Sequence, residues 1–262
     1  MTSPRMPAVF VGHGSPMNTL ENNRYTEAWR ALGQSVPRPE GIVMVSAHWY
    51  IAHSAVTAMD QPRTIHDFYG FPPELFAFQY PAPGAPELAS RVAQLAEPNW
   101  VGLDADQWGL DHGTWSVLAH VFPEADIPVV QLSVDASKTI EQHMALGASL
   151  SPLLDEGVMV MASGNVVHNL GALNPALRDE ASEWARAFDA ATTHVMTTNP
   201  GDLGSVVTHP AFDLAVPTPD HFLPLAYIAG IADSVGETAQ VLIEGGAMGS
   251  LTMTSYTVGT FN

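Results

Sequence analysis

The chain has 262 residues, of which 46% are apolar and 14% charged, a composition typical of an ordinary globular protein. It carries 27 acidic but only 9 basic side chains, and the formal charge of −18 argues against nucleic acid or an anionic membrane as a partner. No apolar run approaches the length of a membrane span, and the first residues lack the pattern of a secretory signal. These features indicate a single-domain protein of the cytoplasm.

Cysteine is absent, which excludes disulfides, thiol nucleophiles and thiolate metal ligands. Any metal would have to be bound by nitrogen and oxygen, and the chain has 11 histidines. The sequence contains no HExxH pair, EF-hand loop, GxSxG turn or strand-linked GxGxxG loop. The functional prediction therefore depends on the histidines.

Four short apolar runs predict buried strands, because they are apolar at successive positions, as in a sheet covered on both faces. They span residues 8–11, 42–45, 129–134 and 158–161. Apolar residues at helical spacing predict helices over 86–97 and 179–196, the second with a buried stripe of Trp184, Phe188, Ala191 and Val195. This alternation predicts an α/β sandwich with a largely parallel central sheet flanked by helices.

Two further segments have a distinct composition. The Pro- and Gly-rich stretch 71–86 resembles a linker, but its aromatic and aliphatic residues predict an ordered loop packed over the body of the protein. The tail from Ala239 onward lacks a helical pattern and predicts additional antiparallel strands, with a turn at Gly245–Gly246.

Histidines follow three of the predicted strands. His13, held between two glycines, follows the first strand, and His48 follows the second. Asn165 and His168 follow the strand at 158–161. Ligands of open α/β sheets bind outside the carboxyl ends of the strands, so these side chains should converge in one crevice. The pattern predicts an assembled metal or catalytic site.

The other histidines have weaker signals. Three have neighbours that suit a pocket, with an ordinary structural role as the alternative: His66, His112 and His221. Two are interpreted as lying on helix surfaces, His143 and His194, and two as structural, His120 and His209. His53 stays undecided.

Six motifs occur in order over nearly the whole chain. They are GHGSPM (12–17), SAHW (46–49), TIHDFYGFP (64–72), DHGTW (111–115), SGNVVHNL (163–170) and DHFLPL (220–225). In these motifs the sequence resembles the DODA-type (4,5-DOPA dioxygenase) branch of the class III extradiol ring-cleaving dioxygenases. The resemblance implies one catalytic domain over residues 1–262 and a mononuclear non-haem metal.

The resemblance also implies roles for individual residues. His13, His48 and His221 would bind the metal, which departs from the two histidines and one glutamate of the protocatechuate-cleaving relatives. His168 would act as an acid and base beside the metal, with a position as fourth ligand as the alternative. His112 would be a catalytic residue that contacts the substrate.

Aromatic residues in the same motifs would hold the substrate ring, with a core role as the alternative. The substrate-binding candidates are Trp49, Tyr50, His66, Phe68, Tyr69 and Asn165. Arg24 and Arg63 are candidates for binding a substrate carboxylate.

The implied reaction is cleavage of a DOPA-like catechol by O₂ next to the diol, with His168 taking a catechol proton and later returning it. Fe(II) is implied for activity. Zn(II) is expected in protein isolated in air, since zinc binds imidazole more tightly and has no redox chemistry. Two alternatives remain open at this point: a zinc hydrolase that uses metal-bound hydroxide, and a non-catalytic protein that binds a metal or a catechol.

Overall fold

The computed structural model describes residues 5–259, and over that range the chain folds around one large mixed sheet. The strands are β1 (Ala8–Gly12), β2 (Gly41–Ile51), β3 (Ala55–Thr57), β4 (Gly102–Asp104), β5 (Val129–Asp135), β6 (Val158–Gly164), β7 (Gln240–Ile243), β8 (Gly246–Ala247), β9 (Leu251–Thr252) and β10 (Ser255–Val258). The α-helices are α1 (Arg24–Ser35), α2 (Pro73–Ala77), α3 (Pro86–Ala96), α4 (His112–Val121), α5 (Ile140–Ser149), α6 (Pro152–Asp155), α7 (Glu183–Thr198), α8 (Phe212–Ala215) and α9 (Leu223–Val235). Short 3-10 helices span Pro16–Thr19, Leu170–Ala172, Pro175–Leu177 and Pro200–Thr208.

The large sheet has the strand order β4-β3-β5-β2-β6-β1-β10-β7. Its four central strands, β5, β2, β6 and β1, are mutually parallel, whereas β10 runs antiparallel to both β1 and β7. Every residue of β1, β5 and β6 is buried, because helices cover both faces of the sheet. The predicted fold class, a largely parallel sandwich with antiparallel C-terminal strands, is confirmed.

Strand β2 runs further than the sequence predicted. It continues through His48 to Ile51, and its pairing with β5 is irregular between Val45 and Tyr50. His48 therefore lies in a bulged part of β2 rather than beyond its end. A bulge of this kind redirects a side chain without ending the strand.

Helix α7 begins at Glu183, later than predicted, because Ala181 forms a β-bridge with Gly249. The fully buried stripe of this helix consists of Ala185, Phe188, Thr192 and Met196, and only Phe188 belongs to the predicted stripe. Trp184 and Val195 are half-buried beside it.

The turn predicted at Gly245–Gly246 is wrong, since Gly246 already belongs to β8. The tight turn lies between β8 and β9, where Met248 and Gly249 have positive φ angles of 54° and 77°. Met248 adopts this left-handed conformation although it has a side chain. Turn preferences favour glycine for such a conformation, so they do not predict a turn at Met248.

The stretch 71–86 is an ordered segment, as predicted. Leu75 and Tyr80 are buried, and the Tyr80 hydroxyl donates a 2.8 Å hydrogen bond to the Phe122 carbonyl. Within residues 5–259, no helix is both long enough and apolar enough to pass through a bilayer.

The interpretation of His143 as a helix-surface residue is wrong. The residue is fully buried, its Nδ1 donates to the Thr139 carbonyl at 2.8 Å, and its ring packs on Tyr227 of α9. The contact between α5 and α9 covers it, and a single helix pattern does not show which helix packs alongside. His194 is exposed, as predicted.

The two histidines interpreted as structural make hydrogen bonds that fit this interpretation. The buried His120 donates to the Asn18 carbonyl at 2.7 Å, and the Nδ1 of His209 accepts the Ala211 N–H at 3.2 Å. His53, which the sequence left undecided, is exposed beside Trp100.

Helix α1 begins with a capping box that also reaches toward the end of β1. The Asn23 side chain accepts hydrogen bonds from the N–H groups of Tyr25 and Thr26, and Thr26 Oγ1 accepts the Asn23 N–H. The Asn23 amide then donates to Asn18 at 2.8 Å, and the Asn18 amide donates to the His13 carbonyl at 2.9 Å. One asparagine thus caps a helix and supports the residue that follows β1.

Replacing Asn23 with Ala removes this cap, and we expect the free energy of unfolding to fall by about 0.5–2 kcal/mol. Asn23→Asp keeps the acceptor and should recover most of the loss. Chemical denaturation measures both variants, with the exposed neighbour Asn22→Ala as the control. A loss in Asn22→Ala as large as in Asn23→Ala would contradict the assignment of the cap.

Candidate active site

Parallel pairing brings the ends of three strands to one edge of the sheet. Strand β6 lies between β1 and β2, and the register places Gly12 beside Gly164 and Ser46 beside Ser163. The His13 N–H continues the ladder by donating to the Gly164 carbonyl at 3.0 Å. His13 and His48 are therefore presented from the two strands that flank β6.

The glycines on either side of His13 have separate structural reasons. A Cβ on Gly12 would lie 2.7 Å from the backbone carbon of Met253, which is too close for any side chain. Gly14 has a φ of +61°, which glycine adopts at low cost. Together they let β1 pass under the C-terminal strands and turn sharply around the imidazole.

Two further histidines enter the site from helix starts. His112 is the first residue of α4, whose cap is the Asp111 side chain. His221 precedes α9, and its carbonyl accepts the Asn165 N–H at 2.9 Å. The loop after β6 thus supports the segment that carries His221.

The imidazoles of these residues form one cluster. Nε2 of His13 lies 3.1 Å from Nε2 of His48. The ring centre of His221 is 5.3 Å from that of His13 and 4.9 Å from that of His48. His112 packs against His48 with their ring centres 3.8 Å apart.

Each of the three predicted metal ligands has its Nδ1 occupied by a neighbouring side chain. The partners are Ser163 for His13 at 2.8 Å, Asp67 for His48 at 3.1 Å, and Asp220 for His221. Partners of this kind fix the orientation of metal-binding histidines and leave Nε2 for the ion.

These residues fit a divalent ion that favours nitrogen. Two imidazole nitrogens on a tetrahedral ion at about 2.0–2.1 Å lie roughly 3.3 Å apart, close to the His13–His48 spacing. Nε2 of His221 is buried and has no hydrogen-bond partner among residues 5–259, a costly arrangement unless a ligand such as a metal ion occupies it.

His112 is a rival for one ligand position. Ligand nitrogens of His13, His48 and His112 all lie within 4.8 Å of one another. Nδ1 of His112 binds Asp67, so its remaining nitrogen is Nε2. Proximity therefore leaves four histidines near the centre, and the buried, unpartnered Nε2 favours His221 over His112 as the third ligand.

The electrostatic surroundings keep most of these rings neutral. Burial lowers the pKa values of His13 and His112, and the nearby His48 lowers them further. Burial also lowers the pKa of His221, which Asp220 offsets only in part. The pKa of His48 is raised, because Asp67 and two other carboxylates outweigh the effect of burial. Neutral imidazoles have the lone pairs that a metal needs.

His168 lies face to face with His221. The two ring centres are 3.5 Å apart and the ring planes differ by 2°. The lone pairs of two stacked rings lie in two separate parallel planes, so one ion cannot lie in the plane of both rings. Burial and the adjacent His221 lower the pKa of His168 to about 3. This arrangement favours a neutral acid–base residue beside the metal over a fourth ligand.

A cavity of about 490 Å³ opens onto the histidines. Besides His13, His48, His112, His168 and His221, its lining consists of Gly14, Ser15, Pro16, Asp67, Phe68, Tyr69, Phe71, Leu170, Leu173, Met248 and Leu251. Its size is in the range of small-molecule sites, roughly 300–1,000 Å³. The predicted substrate contacts Phe68 and Tyr69 belong to this lining, and Tyr69 lies at the rim with 92% of its surface exposed.

Three predicted substrate contacts lie outside this lining. Trp49 points to the opposite side of β2 from His48 and stacks on Trp108, because neighbouring strand residues face opposite ways. His66 donates to the Phe78 carbonyl at 2.9 Å, and the Asn165 amide donates to the Thr252 carbonyl at 2.8 Å. Both side chains are used to hold the loops around the site.

Tyr50 and the two candidate arginines also lie outside the cavity lining. Tyr50 is on the outer part of β2 and is 37% exposed. Arg63 donates to the Gln107 carbonyl and lines a separate hollow. Arg24 donates to the Tyr25 hydroxyl at 2.6 Å and lines an adjoining cavity, which meets the first one at Ser15 and Met248.

Sequence reasoning missed the residues that orient the histidines. Asp67 and Asp220 lie within the motifs but have no predicted role, although Asp67 directly follows His66 and Asp220 directly precedes His221. A carboxylate next to a candidate ligand is the signal that could have identified them. Ser163 carries no such signal, since only the register of β6 against β1 places it at His13.

Comparison with known proteins agrees with this geometry. Residues 6–257 match the family described as the catalytic LigB subunit of aromatic ring-opening dioxygenase. The chain is 47% identical to the 4,5-DOPA dioxygenase extradiol of Escherichia coli (strain K12), over 99% of this chain and 97% of that protein. The enzyme of the same name from Beta vulgaris is 38% identical over 94% of this chain and 96% of its own.

A solved structure supports the same assignment. The crystal structure of an uncharacterized protein from Escherichia coli K12 superimposes with a TM-score of 0.84 at 44% identity, covering 97% of this chain and 100% of that one. The chain belongs to the LigB family of aromatic ring-opening dioxygenases. It is a metal-dependent extradiol ring-cleaving dioxygenase of the DODA type, and the hydrolase and binding-protein alternatives are disfavoured.

At Gly164, the end of β6 packs closely against the segment that carries His221. A Cβ at this position would overlap the His221 carbonyl oxygen. We expect Gly164→Ala to reduce the free energy of unfolding by about 1–3 kcal/mol and to weaken metal binding as the segment shifts. Denaturation and zinc titration measure the two effects.

Gly171→Ala is the matched control, because a Cβ there meets only the Asn169 side-chain oxygen at 3.2 Å. Unchanged zinc affinity in a destabilised Gly164→Ala variant would show that the approach of these segments does not position His221.

Proposed function

We propose that His13, His48 and His221 hold one Fe(II) ion and that the enzyme cleaves a catechol next to its diol with O₂. The observation that supports this ligand set is the arrangement of the three rings, each with Nδ1 held by a neighbour. Nε2 of His221 is buried and has no hydrogen-bond partner among the described residues, so binding a metal ion there would remove an unfavourable arrangement. All three donors are imidazole nitrogens, which suit Fe(II) and Zn(II) alike.

When bound, Fe(II) supplies the Lewis acidity that lowers the pKa values of both catechol hydroxyls and the redox chemistry that O₂ requires. The protein's own residues move the protons. His168, neutral and outside the ligand set, takes a proton from a catechol hydroxyl and later returns it to the opened ring. His112 contacts the substrate from the other side of His48.

The cavity supports an aromatic substrate. Phe68, Phe71 and Tyr69 provide ring faces and edges near the histidines, and Leu170 and Leu173 extend this apolar surface to the rim. The relatives from Escherichia coli and Beta vulgaris both bear the name 4,5-DOPA dioxygenase extradiol, and by this similarity we propose a DOPA-like catechol.

Among the described residues no lysine or arginine lines the cavity, so a substrate carboxylate would have to extend toward the adjoining cavity that Arg24 lines.

The proposal extends to the surroundings of the enzyme. One catalytic domain over residues 1–262 acts on a small molecule and O₂ in the cytoplasm. The excess of acidic residues, with a formal charge of −18, supports an enzyme that binds neither nucleic acid nor membrane.

Anaerobic reconstitution with Fe(II), followed by oxygen uptake with DOPA and with plain catechol, tests the proposed function. We expect uptake matched by a yellow ring-opened product. Protein isolated in air should contain zinc and be inactive until iron replaces it, because zinc binds imidazole sites more tightly and lacks redox chemistry.

Two controls make that experiment decisive. Zinc-loaded protein with iron excluded should consume no oxygen, and ring cleavage by it would contradict the assignment of iron. Absence of uptake in protein shown by elemental analysis to hold one iron would contradict catechol cleavage itself and return the zinc hydrolase to consideration.

Parallel alanine variants separate the ligands from the acid–base residue. His221→Ala should lose the metal. His168→Ala should retain it and lose turnover by roughly 10²–10⁴-fold, because only the proton transfer is removed. Elemental analysis and oxygen uptake on the same samples measure both quantities.

His112→Ala is the control for the rival ligand set. Retained metal in this variant supports His221 as the third ligand. Retained metal in His221→Ala together with loss in His112→Ala would replace His221 by His112.

A further inference from the structure

The carboxylate of Asp67 contacts two histidines of the site at once. Its Oδ1 accepts the backbone N–H of His112 at 3.0 Å, and its Oδ2 accepts the Nδ1–H of the same residue at 2.9 Å. The same Oδ2 lies 3.1 Å from Nδ1 of His48. One side chain therefore links a proposed metal ligand to a proposed substrate contact.

The segment that carries Asp67 is itself firmly held. The Ile65 N–H donates to the Leu110 carbonyl at 2.7 Å, and the Trp115 indole donates to the Ile65 carbonyl at 2.8 Å. His66 adds its bond to Phe78. Only 15% of the Asp67 side-chain surface is exposed, so the carboxylate has little freedom to turn away.

This arrangement selects one tautomer in each ring. An ionised carboxylate only accepts hydrogen bonds, so both histidines must place their proton on Nδ1 to bind it. In a neutral imidazole the other nitrogen then carries a lone pair. For His48 that lone pair is on Nε2, 3.1 Å from Nε2 of His13, and for His112 it is on the nitrogen left for the cavity.

We propose that Asp67 is a positioning residue that sets two nitrogens together, Nε2 of His48 for the metal and Nε2 of His112 for a catechol hydroxyl. His112 consequently accepts a hydrogen bond from one catechol hydroxyl and favours the protonated form of that hydroxyl. The assignment rests on the proposed function for the identity of the metal and the substrate.

Asp67→Asn tests the assignment, because the amide is nearly the same size but has an NH₂ donor group in place of one acceptor oxygen. The donor can bind Nδ1 of one histidine only if that ring changes tautomer. We expect the zinc affinity, measured by competition with a chelator, to fall 10- to 100-fold.

The second readout uses zinc-loaded protein without oxygen and 4-nitrocatechol, whose absorption band reports its ionisation. The pH midpoint for ionisation of the bound probe should fall in Asp67→Asn, because Nε2 of His112 is no longer fixed as an acceptor for the probe hydroxyl. In a His112→Phe background, Asp67→Asn should still weaken zinc binding through His48 but lower the midpoint no further.

Asp60→Asn is the matched control, since Asp60 is an exposed carboxylate on the same connection between β3 and α2. It should leave both readouts unchanged, and thermal unfolding monitors the fold of each variant. If Asp67→Asn loses the fold, Asp67→Ala, which also removes the acceptor at both Nδ1 atoms, provides the same comparison.

An unchanged zinc affinity in Asp67→Asn overturns the assignment, and so does weakened zinc binding with no change in the ionisation midpoint. Neither readout requires turnover. Failure of the iron-loaded wild-type enzyme to consume oxygen would therefore contradict the proposed function, while Asp67 would still be judged by zinc affinity and probe ionisation.

Discussion

The register of the parallel strands β1, β6 and β2 is the constraint on which the site depends. Backbone pairing places Gly12 beside Gly164 and Ser46 beside Ser163, so the residues that follow are fixed at one edge before any side chain is considered. A shift by one residue would reverse the direction of every side chain in a strand. The apolar core on both faces prevents such a shift, because it would turn buried residues toward polar surroundings. The stability of the sheet and the position of the imidazoles therefore have the same origin.

Gathering several histidines in a buried crevice is electrostatically unfavourable if they are charged, and the protein resolves this in two ways. Burial keeps most of the rings neutral, as the lowered pKa values of His13 and His112 indicate. Two carboxylates then accept the Nδ1 protons, and these hydrogen bonds hold the pKa values of Asp67 and Asp220 well below their usual range even though burial acts in the opposite direction. The result is a nitrogen-rich centre of mostly neutral imidazoles whose Nδ1 atoms are held by neighbouring acceptors. A divalent cation would complete it.

Site residues whose position depends on nearby sequence could be predicted, whereas those positioned by distant parts of the chain could not. His13 and His48 could be assigned because strand patterns end at them and strand ends converge in this class of fold. The sequence did not show that Trp49 lies outside the site, because its neighbour His48 belongs to the site. The bulge in β2 and the alternation of side chains decide which face of the sheet each residue takes. The stacking of His168 on His221 was equally beyond prediction, since the two residues are 53 positions apart in the chain and several elements lie between them.

The sequence by itself determined the fold class, the absence of thiolate chemistry, and a set of histidines that match a ring-cleaving dioxygenase motif by motif. These properties follow from composition, periodicity and short motifs, which are local features that can be read from the sequence alone. Only the tertiary structure decided which nitrogens face one another, which side chains hold them, and which aromatic residues line the cavity. Those features depend on register, on a bulge and on helix starts brought together from distant parts of the chain, and no local interaction specifies them.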